Sequence, residues 1–312
     1  MIRRIVRPSS RAIRTGAWAL VAAGVAAPLL RRRLRIPPPA ITVTAVAAPL
    51  ALCVAVRRSP ARDVGTVLLQ MWGYIAHYEM PNDDPEALRR RVRIDYPVRL
   101  DRLIGLGTLP GLRSQRRFSA PGRIGPLEKV LVWAHWLWFF FPHGTVAYIL
   151  ARRRGQFPRG ATLIYAVFDI GVIAYWVVPT APPWYAAQQQ RADPDLRRMM
   201  VEHGEAFWKQ RWEPMYGFLG GNPLAAMPSL HFATSVMAAH VLSEAGRVQG
   251  ALGWAYAGTL GFALVHLGEH YVTDLIAGLA LAESIRAAAP HAAPLAQRIS
   301  RTVQVLEARA HA

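Results

Sequence analysis

Three residues in the last third of the chain, His231, His270 and Asp274, have the types and spacing that nucleophilic and acid–base chemistry requires. His270 and Asp274 are four positions apart, which on a helix places the carboxylate one turn from the imidazole on the same face. A carboxylate that accepts the Nδ1–H of a histidine fixes the tautomer and leaves Nε2 as a basic nucleophile. Taken alone, the pair could equally be a satisfied polar contact that braces a helix bundle.

His231 follows the residues Pro-Ser-Leu, which read as a turn that opens a helix. The first turn of a helix presents unpaired backbone N–H groups and suits a phosphate. One turn into that helix, His231 would be placed to protonate a leaving alkoxide, which fits a group that titrates near neutral pH. These residues predict cleavage of a phosphate ester, with Ser229 and Tyr271 as further substrate contacts.

Two other functions fit parts of the same sequence. Residues 266–270 read HLGEH, which matches the inverted zinc-protease pattern, with both histidines as ligands and Glu269 as base. Gly268 weakens the helix that the ligands would share, and Glu283 is the one candidate third ligand downstream. A second alternative is a lipid-binding or transport scaffold, in which a His270→Ala variant would have no hydrolytic activity to lose.

Long apolar runs indicate the elements that must hold these residues. The chain has 312 residues, of which 53% are hydrophobic and 18% charged. A membrane-spanning helix needs about 20 mostly apolar residues. The candidate spans are residues 15–30, 40–56, 130–150, 162–178, 229–245, 251–267 and 271–285. The sequence therefore predicts an all-α fold, a polytopic membrane bundle of about six or seven helices.

The arginines that flank these runs give the chain a formal net charge of +18. This pattern favours a membrane surface over nucleic acid, because no basic groove with interleaved aromatic residues or finger motif accompanies it. The first apolar run is predicted to be a retained helix and not a signal peptide, since arginines follow it instead of a cleavage site. The single cysteine, Cys53, excludes an intrachain disulfide or a cysteine metal site.

Shifts in composition predict four regions. They are a basic segment with two transmembrane helices (1–57), a basic connection with interfacial helices (58–129), a catalytic membrane domain (130–288) and a tail (289–312). Helices are also expected at 64–78, 88–103 and 194–208, and turns at 81–85 and 108–111. Alternation of the spans puts the arginines near 152–159, 247 and 286 opposite the reacting residues. The positive-inside tendency then predicts an active site on the exoplasmic face of the cell membrane.

The strings NPLAAMPSLHF and GEHYVTDLIAG resemble the second and third motifs of the type 2 phosphatidic acid phosphatase (PAP2) superfamily. More narrowly, APPWY followed by PSLHF and HYVTD is similar to the branch with inositol phosphorylceramide synthases, inositolphosphotransferases and their actinobacterial relatives. The resemblance is strong from about residue 130 to residue 283. It implies a helical membrane enzyme that needs no metal or cofactor and acts on a lipid or polyprenyl phosphate.

The resemblance also implies a role for each reacting residue. His270 attacks phosphorus to form a phosphohistidine, and Asp274 orients it. His231 protonates the departing lipid alcohol and then activates the acceptor. Water as the acceptor makes a phosphatase, whereas an inositol or sugar hydroxyl makes a transferase, and these residues do not distinguish the two. The resemblance carries no prediction of oligomeric state.

The sequence departs from the PAP2 pattern where the phosphate would be held. The third motif carries Ser-Arg where this chain has Ala263 and Leu264, and after Lys129 the first motif's Arg-Pro is replaced by Trp136 and Leu137. A phosphoryl group gathers charge in the transition state and needs cationic or N–H donors. The predicted substitutes are Lys129, Lys209, Arg211 and the amides of Gly220 and Gly221.

Histidines and aromatic residues near these motifs have two interpretations. His135 and His143 are candidate headgroup contacts, but a packed or interfacial position is the more frequent one for such side chains. Trp133, Trp136 and Trp138 are expected to be interfacial anchors. Trp184 and Tyr185 are expected to be interfacial anchors. A position at the mouth of the site is the second interpretation.

Overall fold

The computed structural model describes residues 9–120, 122–214 and 221–312, and the regular structure within them is helical. The helices are α1 (Ser10–Leu34), α2 (Pro38–Ala55), α3 (Pro60–Glu79), α4 (Pro85–Arg91), α5 (Asp95–Ile104), α6 (Pro110–Phe118), α7 (Pro126–Leu137), α8 (Phe141–Arg152), α9 (Phe157–Val177), α10 (Pro183–Gln188), α11 (Met199–Trp208), α12 (Leu230–Ala245), α13 (Arg247–His266) and α14 (Val272–Ala310). Two isolated bridges join Thr180 to Arg93 and to Ala225, and no strand occurs in the described ranges. The prediction of an all-α fold is confirmed.

Four helices, α1, α2, α9 and α13, are long and apolar enough to cross a membrane. Each contains or nearly contains a predicted span. Helix α12 has only 16 residues. Helix α14 carries Asp274, Glu283 and Arg286 near its start, so two of the predicted spans belong to helices that are shorter or more charged than a typical span.

The prediction of one continuous span over residues 130–150 is wrong. Helix α7 ends at Leu137 and α8 begins at Phe141. Pro142 has no backbone N–H and occupies the first turn of α8, where a proline is tolerated, so it starts a helix more readily than it continues one. Between the two helices the N–H of Phe140 donates to Leu137 O at 2.9 Å. This bond spans three residues, as in a 3₁₀ turn, instead of the four of an α-helix.

The predicted basic helix over residues 88–103 is also divided. Helices α4 and α5 are separated by an extended segment at Arg93. There the Arg93 N–H donates to Pro179 O at 2.8 Å, and the Ala181 N–H donates to Arg93 O at 2.9 Å. This pairing with a distant segment uses backbone groups that a continuous helix would need internally. The predicted helix over 194–208 begins later, at Met199, whereas the helix expected at 64–78 lies within α3.

The chain forms two compact units, Met1–Asp83 with Ala288–Ala312, and Asp84–Ala287. In the first unit α1 packs on α2, and a Cβ at Gly24 would lie 2.4 Å from the Ala48 Cβ. Small residues at such a crossing let two helices approach closely. Helix α3 packs on α2, so the structure divides the predicted region 58–129 after Asp83 instead of treating it as one connection.

In the second unit α12 packs against α13 and α9, and these three helices set the position of the reacting residues. At one end Arg159 of α9 forms an ion pair with Glu244 of α12 at 2.5 Å. Gly246 separates the end of α12 from the start of α13 at that same end. The other end therefore holds the start of α12, with His231, and the turn that follows His266.

Candidate active site

His231, His270 and Asp274 come together in one hydrogen-bonded line. The Nδ1 of His270 lies 3.1 Å from Asp274 Oδ2, and its Nε2 lies 3.2 Å from His231 Nδ1. Because a carboxylate accepts, Nδ1 of His270 is the donor and Nε2 keeps its lone pair in the neutral ring. His270 is 6% exposed and Asp274 is fully buried, so water is largely excluded from this contact.

The start of α12 is fastened to the start of α14. The Ser229 N–H donates to Asp274 O at 3.0 Å. A Cβ at Gly278 would lie 2.6 Å from Ser229 O, so only glycine permits this approach. The Oγ of Ser229 accepts the Phe232 N–H at 3.3 Å and caps α12. Ser229, predicted as a substrate contact, is fully buried and acts here as a helix cap.

A tight turn carries His270 between α13 and α14. Helix α13 ends at His266, and Gly268 adopts a positive φ of 79°, which an L side chain disfavours. The N–H groups of Glu269 and His270 both donate to Leu264 O at 3.0 Å. Asp274 Oδ2 accepts the Tyr271 N–H at 2.9 Å as well as facing His270. The backbone thus holds the nucleophile candidate and its partner in a fixed relation.

His135 and Trp138 line the site on the α7 side. Their ring centroids lie 5.0 Å and 4.1 Å from that of His231. Trp138 Nε1 donates to Thr234 Oγ1 at 2.9 Å, and its role as an interfacial anchor stays a prediction. His135 is 5% exposed, and its Nδ1 has no hydrogen-bond partner among the described residues. His143 packs elsewhere, against Tyr165 and Phe168.

A family model described as the PAP2 superfamily matches residues 98–288. The chain belongs to the PAP2 superfamily. This superfamily is a helical membrane fold, and membership supports phosphatase or phosphotransferase chemistry in general. No curated protein and no solved structure gives a significant match to the chain. The matched residues extend from α5 into α14 and include all three reacting residues.

The positions that differ from the PAP2 third motif belong to the core. Ala263 and Leu264 are fully buried. Leu264 O accepts hydrogen bonds from the N–H groups of Glu269 and His270 in the turn between α13 and α14. Trp136, at a first-motif position, packs among the rings of His203, Phe207, Trp208 and Trp212. These substitutions replace groups that would face a phosphate by groups that stabilise the surrounding fold.

The structure shows no contact between the predicted substitute cations and the two histidines within the described residues. Lys129, Lys209 and Arg211 are exposed, and no hydrogen bond between them and His270 or His231 occurs among the described residues. Gly221 has a φ of 43°, as close backbone turns require. Gly220 lies outside the described residues. A role of these groups in phosphate binding stays a prediction.

The side chain of Tyr271 is buried in the core and, with His270, lines one small cavity. It is 1% exposed and clusters with Val98, Leu112 and Leu196 among other apolar residues. Its backbone N–H is the group that contacts Asp274. The backbone contact positions the carboxylate, and a substrate contact by Tyr271 stays a prediction.

Asp101, which sequence patterns did not single out, caps the N-terminus of α14. Its Oδ2 accepts the Val272 N–H at 3.0 Å and its Oδ1 accepts the Thr273 N–H at 2.9 Å. Burial raises the pKa of Asp101, while these two N–H groups act to lower it. Since the pKa is raised in the folded protein, the contribution of this carboxyl to stability falls as pH rises through that pKa.

We expect Asp101→Ala to lower the free energy of unfolding by about 1–3 kcal/mol, because two N–H groups lose their acceptor. Activity should fall as well, since α14 carries Asp274. The measurement is chemical unfolding of the protein in detergent micelles. Asp95→Ala on the same helix is the matched control, because Asp95 forms an ion pair with exposed Arg191. Equal stability of the Asp101→Ala variant and the wild type would contradict the capping role.

His266 belongs to a buried polar network. Its Nδ1 lies 2.5 Å from Ser114 Oγ and its Nε2 lies 3.2 Å from Ser119 Oγ. Ser119 Oγ in turn donates to Glu128 Oε1 at 2.6 Å. The helix ends at His266, so the inverted zinc-protease motif does not lie on one helix as its ligands require. Within the described ranges, no cluster of three or more potential ligands is placed to hold a metal.

Arg198 and Glu269 form a second feature that the sequence patterns missed. Arg198 Nε donates to Glu269 Oε1 at 2.9 Å, and Nη2 donates to Oε2 at 3.2 Å. The guanidinium carbon lies 3.9 Å from the centroid of the Trp184 ring. Trp184 belongs to the APPWY string, so this string contributes an arginine contact at the site and not only an interfacial anchor. The adjacency of Glu269 to His270 is the one sequence signal that could have pointed to this pair.

Proposed function

We propose that this PAP2 protein transfers a phosphoryl group from a lipid-linked phosphate through a phosphohistidine on His270. The observation that carries the proposal is the placement of His270 Nε2, 3.2 Å from His231 Nδ1, while Nδ1 of the same ring lies 3.1 Å from Asp274. A nucleophile oriented by a carboxylate and facing a second imidazole is the arrangement that nucleophilic and general acid catalysis require.

In the first half-reaction the Nε2 lone pair of His270 forms a bond to phosphorus as the bond from phosphorus to the lipid oxygen breaks. Protonated His231 gives its proton to that departing oxygen. The phosphorylated imidazole keeps its Nδ1–H and gains positive charge, which the carboxylate of Asp274 stabilises. The substrate phosphate would separate the two histidines that are in contact in this structure.

In the second half-reaction neutral His231 takes a proton from the acceptor, whose oxygen forms a bond to phosphorus. The bond between phosphorus and His270 breaks, and both imidazoles return to their starting states. With water the product is inorganic phosphate, and with an alcohol it is a new phosphate ester. The alternative acceptor is an inositol or similar polyol. The resemblance to the inositolphosphotransferase branch favours a further alternative, in which a phosphate headgroup that carries inositol is transferred to a lipid acceptor.

The position of the site supports a lipid substrate. Helix α13 is long enough to cross a membrane and ends four residues before His270. Helix α9, also of membrane length, ends shortly before Thr180, which pairs with Ala225 near the start of α12. A phosphate held at this level lies at the boundary of the apolar layer, where lipid headgroups are.

We place this site on the exoplasmic face of a multi-pass membrane protein, from the short loops of the second unit. Arg153 donates to Ala245 O at 3.0 Å and Arg159 pairs with Glu244, so these arginines cluster at the end opposite His231. Helices α5 and α6 bring further arginines to the site end, where Asp101 and Gln115 contact the catalytic turn. The orientation therefore rests on the positive-inside tendency of short loops alone.

The test uses purified protein in detergent micelles with radiolabelled phosphatidic acid or polyprenyl phosphate, with and without inositol. We expect loss of label from the lipid, as inorganic phosphate if water is the acceptor and as inositol phosphate if the polyol is. Chelator should leave the rate unchanged, and inactivation by chelator would overturn the metal-independent mechanism. Failure to release or transfer label from either lipid would contradict the proposed function and favour a scaffold or transporter.

A further inference from the structure

We propose that Arg198 is the phosphate-binding cation of this site, in place of the arginines that the PAP2 motifs of this chain lack. The inference rests on the proposed function, because it assigns a ligand within the same site. Arg198 lies immediately before α11, outside the strings that resemble the second and third motifs. Three observations support this assignment. They are the contacts of the backbone on both sides of Arg198, the contacts of its side chain, and the residues that surround His270.

The backbone next to Arg198 is bonded to the catalytic turn through Gln115. Gln115 Nε2 donates to Arg197 O at 2.9 Å and to His266 O at 2.8 Å. Its Oε1 accepts the Arg197 N–H at 3.0 Å. Gln115 is buried, so these three bonds do not compete with water. The amide of one α6 residue thereby holds the Arg198 segment and the end of α13 at a fixed distance.

Two further contacts complete this attachment. The Met199 N–H donates to Leu267 O at 3.1 Å, on the other side of Arg198. A Cβ at Gly268 would lie 2.4 Å from Arg197 O, so the glycine lets the two backbones touch. Residues on both sides of Arg198 are therefore fixed to the turn that carries the nucleophile candidate.

The side chain of Arg198 is oriented on two sides. Glu269 engages Nε and Nη2, and the ring of Trp184 covers the guanidinium at 3.9 Å. A guanidinium held in this way loses little further freedom when it binds a ligand. Its planar shape matches two oxygens of a phosphate, to which a guanidinium forms charge-assisted bidentate hydrogen bonds.

Glu269, which pairs with Arg198, directly precedes His270, and the site beside His270 includes the buried ring of His135. That ring stacks on His231 with centroids 5.0 Å apart. Arg198 is thus bonded to the residue that precedes His270, and the Nδ1 of His135 has no hydrogen-bond partner within the described part of the chain. A phosphate between His231 and His270 would have a cation and an N–H donor at its remaining oxygens.

The test measures binding of orthovanadate and inorganic phosphate to the wild type and to Arg198→Gln, by calorimetry in detergent micelles. We expect the variant to bind both anions about tenfold or more weakly, since a charge-assisted bidentate contact is lost. Arg198→Lys should keep the charge but lose the fork geometry, with a smaller loss of affinity. If the glutamine variant does not fold, the lysine variant provides the test in its place. Thermal unfolding without ligand distinguishes a loss of anion affinity from a loss of stability.

Arg197→Gln is the matched control. Arg197 adjoins Arg198, its side chain is equally exposed at 21%, and it also pairs with a glutamate, Glu202. We expect this variant to bind the anions within about twofold of the wild type, because the Arg197 guanidinium contacts Glu202 and the carbonyls of Ala120 and Arg123 and not Glu269. Equal weakening in both glutamine variants, unchanged binding in Arg198→Gln, or no anion binding by the wild type would overturn the proposal.

The anion measurement does not require turnover, which keeps this inference separable from the proposed function. Wild type that binds vanadate through Arg198 but releases no label from lipid phosphates would contradict the proposed reaction alone. Turnover of lipid phosphate that survives in Arg198→Gln with an unchanged KM would contradict the role of Arg198 alone. In the lipid assay we expect the variant to show a raised KM for the phosphate substrate.

Discussion

His270→Ala is expected to lower phosphoryl transfer by about a thousandfold or more, because the atom that would bond to phosphorus is lost. Wild-type protein quenched during turnover of radiolabelled lipid phosphate should retain label that is lost in acid and stable in base, as a phosphohistidine requires. The variant should retain none. The measurement is the protein-bound label after separation from lipid, together with the steady-state rate.

His240→Ala is the matched control for this experiment. His240 lies on α12 and also contacts a carboxylate, with its Nε2 2.5 Å from Glu283 Oε1. His240 lies in the half of α12 farther from His231. Its loss should therefore leave both the labelling and the rate near those of the wild type. Label on the His270→Ala protein, or equal loss in both variants, would remove His270 from the role of nucleophile.

His231→Ala is expected to have an effect that depends on the leaving group. For an alkyl phosphate, whose alkoxide needs a proton, the rate should fall by about a hundredfold to ten thousandfold. For nitrophenyl phosphate the leaving oxygen needs no proton, so the first half-reaction should stay near normal. The second half-reaction still needs a base, and the phosphorylated protein should accumulate. The measurement is a burst of nitrophenolate close to one per protein, followed by a slow phase.

His143→Ala provides the comparison, because His143 packs against Phe168 with ring centroids 5.7 Å apart and does not contact the reacting histidines among the described residues. This variant should show steady turnover with both substrates. If His231→Ala slows alkyl and nitrophenyl phosphate equally in the first half-reaction, then His231 does not act as the acid. A normal second half-reaction would likewise exclude it as the base.

The grouping of His231, His270 and Asp274 was predictable because its signal is local. His270 and Asp274 lie four positions apart at the start of one helix, and the helix cap before His231 is encoded by adjacent residues. Long apolar runs likewise encode α1, α2, α9 and α13 through composition alone. The break between α7 and α8 also had a local signal, the proline at position 142, which the long apolar run obscured.

The residues that support the site were not predictable in the same way. Asp101 meets Val272 across 171 positions, and Gln115 meets His266 across 151. Such contacts depend on which helices become neighbours, and no periodicity within either segment encodes that choice. The substitute cations were sought among arginines and lysines near motif positions. The backbone on both sides of Arg198 is fixed to the turn before His270, and this contact is visible only in the folded chain.

The bond from the Ser229 N–H to Asp274 O, with the close approach at Gly278, has a mechanical consequence. Membrane helices tilt and shift when bilayer thickness changes. Here the start of α12 and the start of α14 are joined at their backbones, so we expect a tilt of one helix to move the other. We therefore expect the spacing between His231 and His270 to change little when the thickness of the bilayer changes.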